Sequence, residues 1–207
     1  MRGGLGALLD CIGTALTWAR RGAYPVPVGL AEALVGWLVA HRDPASGLWG
    51  SSGDRLLEPV NGTCRAVRGT LAARGPGVGG EDPLIDTVLR RVAAITGAGV
   101  TACDALDVVH PLCGAELTRP DYRHGEIVEV AGMVLSATFD RWVPGHGLLF
   151  NAGREPPLQG TEMRLAVAWH AADLLGQADA LGCHPRGVHR PEPMLSLRHD
   201  VSEPAVS

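Results

Sequence analysis

The residues best suited to chemistry lie in the segment 103–113, which reads CDALDVVHPLC. Asp104, Asp107 and His110 follow one another at intervals of three within a helical pattern, so their side chains share one helix face. Two carboxyl groups beside an imidazole can bind a divalent cation or transfer a proton. A structural alternative stays open. In it, Asp104 interacts favourably with the helix dipole near the start of the helix, Asp107 is solvated or caps a backbone group, and His110 lies beside Pro111 at a kink.

A second set of titratable side chains lies on the last helical pattern. Glu162 follows Thr161 at its start, where it either stabilises the first turn or serves as a general acid at the mouth of a helical barrel. His170 and Asp173 lie about one turn apart and are expected to pair. No individual residue is assigned as a metal ligand. The carboxyl and imidazole side chains of the two sets nevertheless suggest a divalent metal as the cofactor. The catalytic candidates are Asp104, Asp107, His110 and Glu162.

Two segments of the chain repeat each other. Residues 59–63 (PVNGT) match residues 157–161 (PLQGT), and each segment follows a turn with glycine, leucine and an aromatic residue, at 47–49 and 147–150. Repetition of this kind predicts an array of helical hairpins. Asn61 and its counterpart in the second copy are expected to satisfy backbone groups where the helices begin.

Hydrophobic periodicity predicts an all-α fold. Glycine- and proline-rich stretches separate the helical patterns and shape the turns. We expect a helical domain over 1–182 and an extended or disordered tail over 183–207, which is rich in proline, histidine and arginine. The helices are predicted at about 4–21, 28–41, 61–74, 83–97, 102–117, 123–141 and 160–182.

Composition narrows the classes of function. The net charge is -4 and no basic stripe is present, which argues against a nucleic-acid partner. No apolar run reaches the roughly 20 residues that a membrane-spanning helix needs. The five cysteines are odd in number and fit no disulfide or zinc spacing, so we expect buried free thiols in a reducing compartment and a cytoplasmic location.

The turn segments resemble those of a known superfamily. Residues 37–50 read WLVAHRDPASGLWG, and residues 141–150 form a looser copy. Helix ends with such glycine- and tryptophan-containing turns are similar to those of the α/α-toroid proteins, which include terpenoid cyclases, protein prenyltransferase β subunits and sugar-processing barrels. The resemblance implies a partial α/α toroid of helical hairpins, which is either a shortened toroid, a fragment, or a toroid that a second copy or a partner chain completes.

The resemblance also implies functions. The first is an enzyme or binding protein of the terpenoid cyclase and prenyltransferase type with a hydrophobic isoprenoid substrate, although the Asp-rich motifs of those enzymes are absent from the chain. The second is a sugar-processing barrel, such as a uronide hydrolase or epimerase, in which Asp104 or Asp107 pairs with Glu162. The third is a non-catalytic helical interaction protein. The candidate substrate-binding residues are Trp49, Trp142, His146, Phe150 and Trp169.

Overall fold

The structure is a computed structural model that describes residues 3–21, 24–49, 57–67, 80–92, 100–153, 155–185 and 189. These residues confirm the predicted all-α class. The helices are α1 (Gly3–Arg21), α2 (Leu30–Ala40), α3 (Leu57–Ala66), α4 (Glu81–Val92), α5 (Ala102–Glu116), α6 (His124–Phe139) and α7 (Leu158–Leu174). A short antiparallel hairpin that the sequence did not predict, β1 (Trp142–Val143) with β2 (Gly147–Leu148), lies between α6 and α7.

The helices pack in an alternating order. α1 packs against α3, α3 against α5, and α5 against α7, so the odd-numbered helices follow one another in a row. α4 and α6 touch each other, α4 packs onto α5, and α6 packs onto α7. The largest apolar core lies between these two rows and draws on α3 to α7. A second core joins α1, α2 and α3 around Trp49.

Several helix ends differ from their predicted positions. α3 begins at Leu57, so Pro59 lies in its first turn, where a missing backbone N–H removes no helical hydrogen bond. α7 ends at Leu174, because Gly176 takes a left-handed conformation with φ 67°, and a separate 3₁₀ turn follows. The predicted ends of the third and fourth helices, near 74 and 97, lie outside the described residues.

The buried faces agree with the sequence in α7 and differ in α2. Met163, Val167 and Ala171 fall at helical spacing in the sequence, which predicts an apolar stripe on α7, and all three are buried. In α2, by contrast, the buried residues are Ala31, Val35 and Leu38. Leu30 and Trp37, which the helical spacing places on the inner face, are each 40% exposed. α2 is apolar around most of its circumference, so periodicity could not decide which side faces the core.

Two matched hydrogen bonds join the turns to the repeated motif. The Trp49 N–H donates to Thr63 Oγ1 (3.1 Å), and the Leu148 N–H donates to Thr161 Oγ1 (3.0 Å). Thr63 lies past the middle of α3, and Thr161 lies in the first turn of α7. The two repeated segments therefore share one joint, in which a threonine hydroxyl holds the turn that precedes the helix.

Gly160 brings the second turn into contact with α7. A Cβ at this position would lie 2.7 Å from Phe150 N and 3.0 Å from Leu148 O, distances too short for any side chain. Since both atoms belong to the backbone, they cannot move aside cheaply. The glycine before the threonine of the motif is thus required by the close approach of the turn.

Neither a membrane-crossing helix nor a disulfide is found among the described residues. No described helix is both long and apolar enough to cross a bilayer. All five cysteines are free, as expected, but Cys11 and Cys183 are exposed, so the prediction that the thiols are buried is wrong for these two.

We expect Thr63→Val to destabilise the protein by about 1–3 kcal/mol, because it leaves the buried Trp49 N–H without its acceptor. Thr138→Val is the matched control. Thr138 is equally buried, at 0% exposure, and its hydroxyl oxygen has no hydrogen-bond partner among the described residues. The control should be neutral or stabilising. Urea unfolding measures the stability of both variants. Equal losses of stability would show that the Thr63 hydroxyl does not hold the turn.

Gly160→Ala should destabilise the fold by about 1–3 kcal/mol through the clash with the turn backbone. Gly132→Ala, in the interior of α6, meets no atom within 4 Å and should stabilise by roughly 0.5–1 kcal/mol, because alanine is the better helix former. In thermal unfolding, Gly160→Ala should therefore lower the melting temperature and Gly132→Ala should raise it. A stabilising Gly160→Ala would show that the turn does not pack as described.

Candidate functional site

Asp104 has a structural role at the start of α5. Its Oδ2 accepts from the Thr101 N–H (3.0 Å), while its own N–H donates to Thr101 Oγ1 (3.2 Å), which forms a capping box. Arg91 Nη2 lies 3.7 Å from the other carboxylate oxygen. Of the two interpretations of Asp104, these contacts support the structural one.

Asp107 lies one turn further along α5 and points into the core. It is 8% exposed, and its Oδ2 accepts a hydrogen bond from Asn61 Nδ2 on α3 (2.7 Å). Asn61 was expected to satisfy backbone groups at the start of its helix; that prediction is wrong, because its amide reaches across to α5. Pro111, inside α5, has no N–H and donates no helical hydrogen bond.

His110 and His170 meet between α5 and α7. They are 5% and 2% exposed, and their ring centroids lie 4.9 Å apart in an edge-to-face arrangement. His170 Nε2 lies 3.2 Å from the His189 carbonyl oxygen. The expected pair of His170 with Asp173 is wrong: the Nε2 bonds to the tail, and the Nδ1 has no hydrogen-bond partner among the described residues.

His189 connects this pair to the surface. Its Nδ1–H donates to Glu162 Oε1 (2.7 Å), and the Glu162 side chain is 48% exposed. Glu162 therefore pairs with the tail at the start of α7. The part of the tail that the structure describes lies against α7, where His184 packs edge-to-face on Trp169 (5.1 Å).

These contacts form two polar groups in the apolar interior, here together called the acid–base row. One joins α3 to α5 through Asp107, and the other joins α5 to α7 and the tail through His110. Asp107 and His110 lie one turn apart on α5. The row combines carboxyl, amide and imidazole groups from α3, α5, α7 and the tail. Glu162 and His170 lie two turns apart on α7, so helical spacing could have associated them. His189 gives no such signal, because it lies in a segment without periodicity. The members are Asn61, Asp107, His110, His170, His189 and Glu162.

The predicted aromatic residues do not gather in one place. Trp49 is 1% exposed and donates from Nε1 to Leu38 O (2.6 Å), so it packs the turn. Phe150 is partly buried against the main core. Trp142, at 54% exposure, and His146 are exposed on the hairpin. Trp169, whose ring centroid lies 5.3 Å from that of His170, contacts the acid–base row.

The chemistry available at the row is proton transfer and hydrogen bonding. Within the described ranges no three histidine, cysteine or acidic side chains converge so as to hold a metal ion. The Cys113 thiol beside the row donates to the His170 carbonyl (3.3 Å). Burial raises the pKa of Cys113 well above its usual value, so this thiol stays protonated and is a poor nucleophile.

Comparison with known proteins identifies no relative: no protein-family model, curated protein or solved structure matches the chain. The resemblance to α/α-toroid proteins therefore depends on the turns and helix pattern alone. What the protein does has to follow from the geometry of the acid–base row.

The buried imidazole predicts a pH dependence of stability. Burial lowers the pKa of His170 from 6.5 to about 4. Between these two pH values the His170 imidazole is protonated in the unfolded state and neutral in the folded state. The free energy of unfolding therefore falls as the pH falls through this window, by on the order of 3 kcal/mol.

His170→Gln should remove this contribution, because an amide nitrogen can still donate to the His189 carbonyl but does not titrate. Urea unfolding between pH 7.5 and pH 4 should then show a smaller loss than the wild type. His146→Gln, on the exposed hairpin, should keep the wild-type slope. Identical slopes for wild type and His170→Gln would show that the imidazole is not protected from protonation.

Proposed function

We propose that the protein binds and transforms a hydrophobic, isoprenoid-type molecule by acid–base chemistry at the acid–base row. The observation that carries the proposal is the burial of Asp107, His110 and His170, all at most 8% exposed, within the apolar core. Titratable groups in such a place are typical of functional sites. In most proteins, side chains of this kind lie at the surface.

The surroundings of these groups select the class of substrate. Their neighbours on the same helices, Leu106, Val109 and Leu112 on α5 and Val167 on α7, are buried apolar side chains. A molecule that reaches Asp107 must therefore share its space with hydrocarbon rather than with water. An extended or cyclic isoprenoid meets this condition, whereas an oligosaccharide would leave most of its hydroxyl groups unpaired.

The row offers both a proton donor and a proton acceptor. In its acid form Asp107, oriented by the Asn61 amide, would transfer a proton to a carbon–carbon double bond, which leaves a carboxylate and a carbocation. A neutral imidazole of the row would accept the proton lost from the product, and its return to Asp107 restores both groups. Trp169 would supply an aromatic face to the cation.

The alternating order of the helices supports the same proposal. An α/α toroid has two concentric rows of helices, and here the odd-numbered helices form one row while α4 and α6 lie in a second. We propose that this arrangement is part of such a toroid, which a second copy or a partner chain completes.

Two alternatives are distinguished by specific residues. A sugar-processing barrel would require free paired carboxylates, but Asp104 is used in a capping box and Glu162 is bonded to His189. A non-catalytic interaction protein is favoured by the outer side of α2, where Trp37 and Val39 are 40% and 44% exposed. These two side chains would be the first to contact a partner.

The test is the thermal stability of the purified protein with polyprenes, isoprenoid alcohols, prenyl diphosphates and oligosaccharides. A ligand at 100 times its Kd should contribute about 2.7 kcal/mol. Asp107→Asn should lower the turnover of a stabilising isoprenoid by about 10²–10⁴-fold, as for loss of a general acid. Asp104→Asn, one turn away, should cost up to about 1 kcal/mol of stability and leave turnover intact.

Each other outcome identifies a different function. Stabilisation by oligosaccharides alone would favour the sugar-processing barrel. A sample that melts cooperatively and responds to no ligand would favour the interaction protein. Equal losses of turnover in the Asp104 and Asp107 variants would show that α5 acts only as a scaffold.

A further inference from the structure

The hydrogen bond to His189 determines the tautomer of His170. A backbone carbonyl oxygen only accepts hydrogen bonds, so the His170 Nε2 that lies 3.2 Å from the His189 oxygen must carry the proton. In the neutral ring the other nitrogen, Nδ1, then presents a lone pair. His170 is therefore oriented as a donor toward the tail and as an acceptor toward the interior.

This acceptor has no partner in the part of the chain that the structure describes. The ring is 2% exposed, and Nδ1 is a buried atom without a hydrogen bond. An unpaired polar atom in the interior lowers stability, so its retention indicates that a donor fills the position in the working protein. The cysteine thiol beside it does not fill it, since Cys113 donates to the His170 carbonyl.

The groups around the ring favour a neutral donor over an anion. His110 and Trp169 contact the imidazole edge-to-face, and His189 holds its far side while bonded to the Glu162 carboxylate. The lone pair of the neutral Nδ1 only accepts hydrogen bonds, so a hydroxyl group can donate to it, whereas a fully ionised diphosphate has no proton to donate. Protonation of the ring would remove this preference, but burial keeps its pKa at about 4, so the ring remains neutral near pH 7.

We propose that His170 Nδ1 accepts a hydrogen bond from a hydroxyl group of the bound molecule, so that the ligand is a hydrophobic alcohol. This inference deepens the proposed function and rests on it for the isoprenoid skeleton alone. It assigns His170 as a binding residue that distinguishes an alcohol from the corresponding hydrocarbon and from the diphosphate.

Two conservative variants separate the two nitrogens of the ring. His170→Gln keeps a donor toward His189 and loses the acceptor, whereas His170→Asn keeps an oxygen acceptor near the Nδ1 position and loses that donor. The probes are geraniol, the hydrocarbon of the same skeleton, geranyl diphosphate and n-decanol, with the full chain at pH 7.

We expect geraniol to bind about tenfold more weakly to His170→Gln than to the wild type, the loss of one hydrogen bond. His170→Asn should retain most of the affinity, and the hydrocarbon should bind both variants alike. In ¹⁵N-histidine NMR spectra the His170 Nδ1 of the free protein should resonate as an unprotonated nitrogen. Geraniol should shift it to lower frequency, and the hydrocarbon should not.

The outcomes distinguish this inference from the proposed function. A protonated Nδ1 in the free protein, or equal shifts from alcohol and hydrocarbon, would overturn the role of His170. The role of His170 is also overturned if isoprenoids bind and are transformed while the Nδ1 resonance stays unchanged. In that case the proposed function remains supported. If n-decanol and geraniol shift the resonance equally, the acceptor is confirmed and the isoprenoid preference fails.

Discussion

The burial of α5 is the constraint on which the rest of the structure depends. This helix packs against α3, α4, α6 and α7, and ten of its fifteen residues are buried. A helix in this position has no solvent-facing side on which to place polar groups. Asp107 and His110 must therefore find their partners on the neighbouring helices, and the acid–base row is the result.

The turn joints determine how those neighbours are placed. In both copies a threonine hydroxyl holds the N–H of a turn residue, so the turn is attached to the helix that follows it. Arg164, which is 2% exposed, adds a second attachment on α7 by donating to the carbonyls of Val100, Leu149 and Phe150. Burial lowers the pKa of Arg164 to about 10, yet it stays charged near pH 7. The start of α5 and the second turn are thereby held against α7, which positions the two helices that carry the histidines.

Inside the row, electrostatics and packing act together. The low polarity of the core disfavours the charged form of His170, while the His189 carbonyl selects its tautomer. The result is a neutral ring with a defined donor and a defined acceptor, and neither property belongs to a histidine in water. At the outer end, half-exposed Glu162 gives the row contact with solvent through His189.

Some of this could be predicted from local sequence. The repeated Gly-Thr motif, the stripe of Met163, Val167 and Ala171 on α7, and the class of fold all follow from spacing within single helices. The structural role of Asp104 was also accessible, because Thr101 three residues earlier has the spacing of a capping box. The exposed outer side of α2 was not accessible, since the helix is apolar around most of its circumference.

The sequence by itself therefore determined the class of fold, how the turns repeat and which face of α7 is apolar. Only the tertiary structure decided that Asn61 meets Asp107, that His110 meets His170, and that the tail residue His189 closes the row. Periodicity reports which side chains share a face of one helix. Which faces then meet depends on how several helices fill space together, and no spacing within a single helix contains that information.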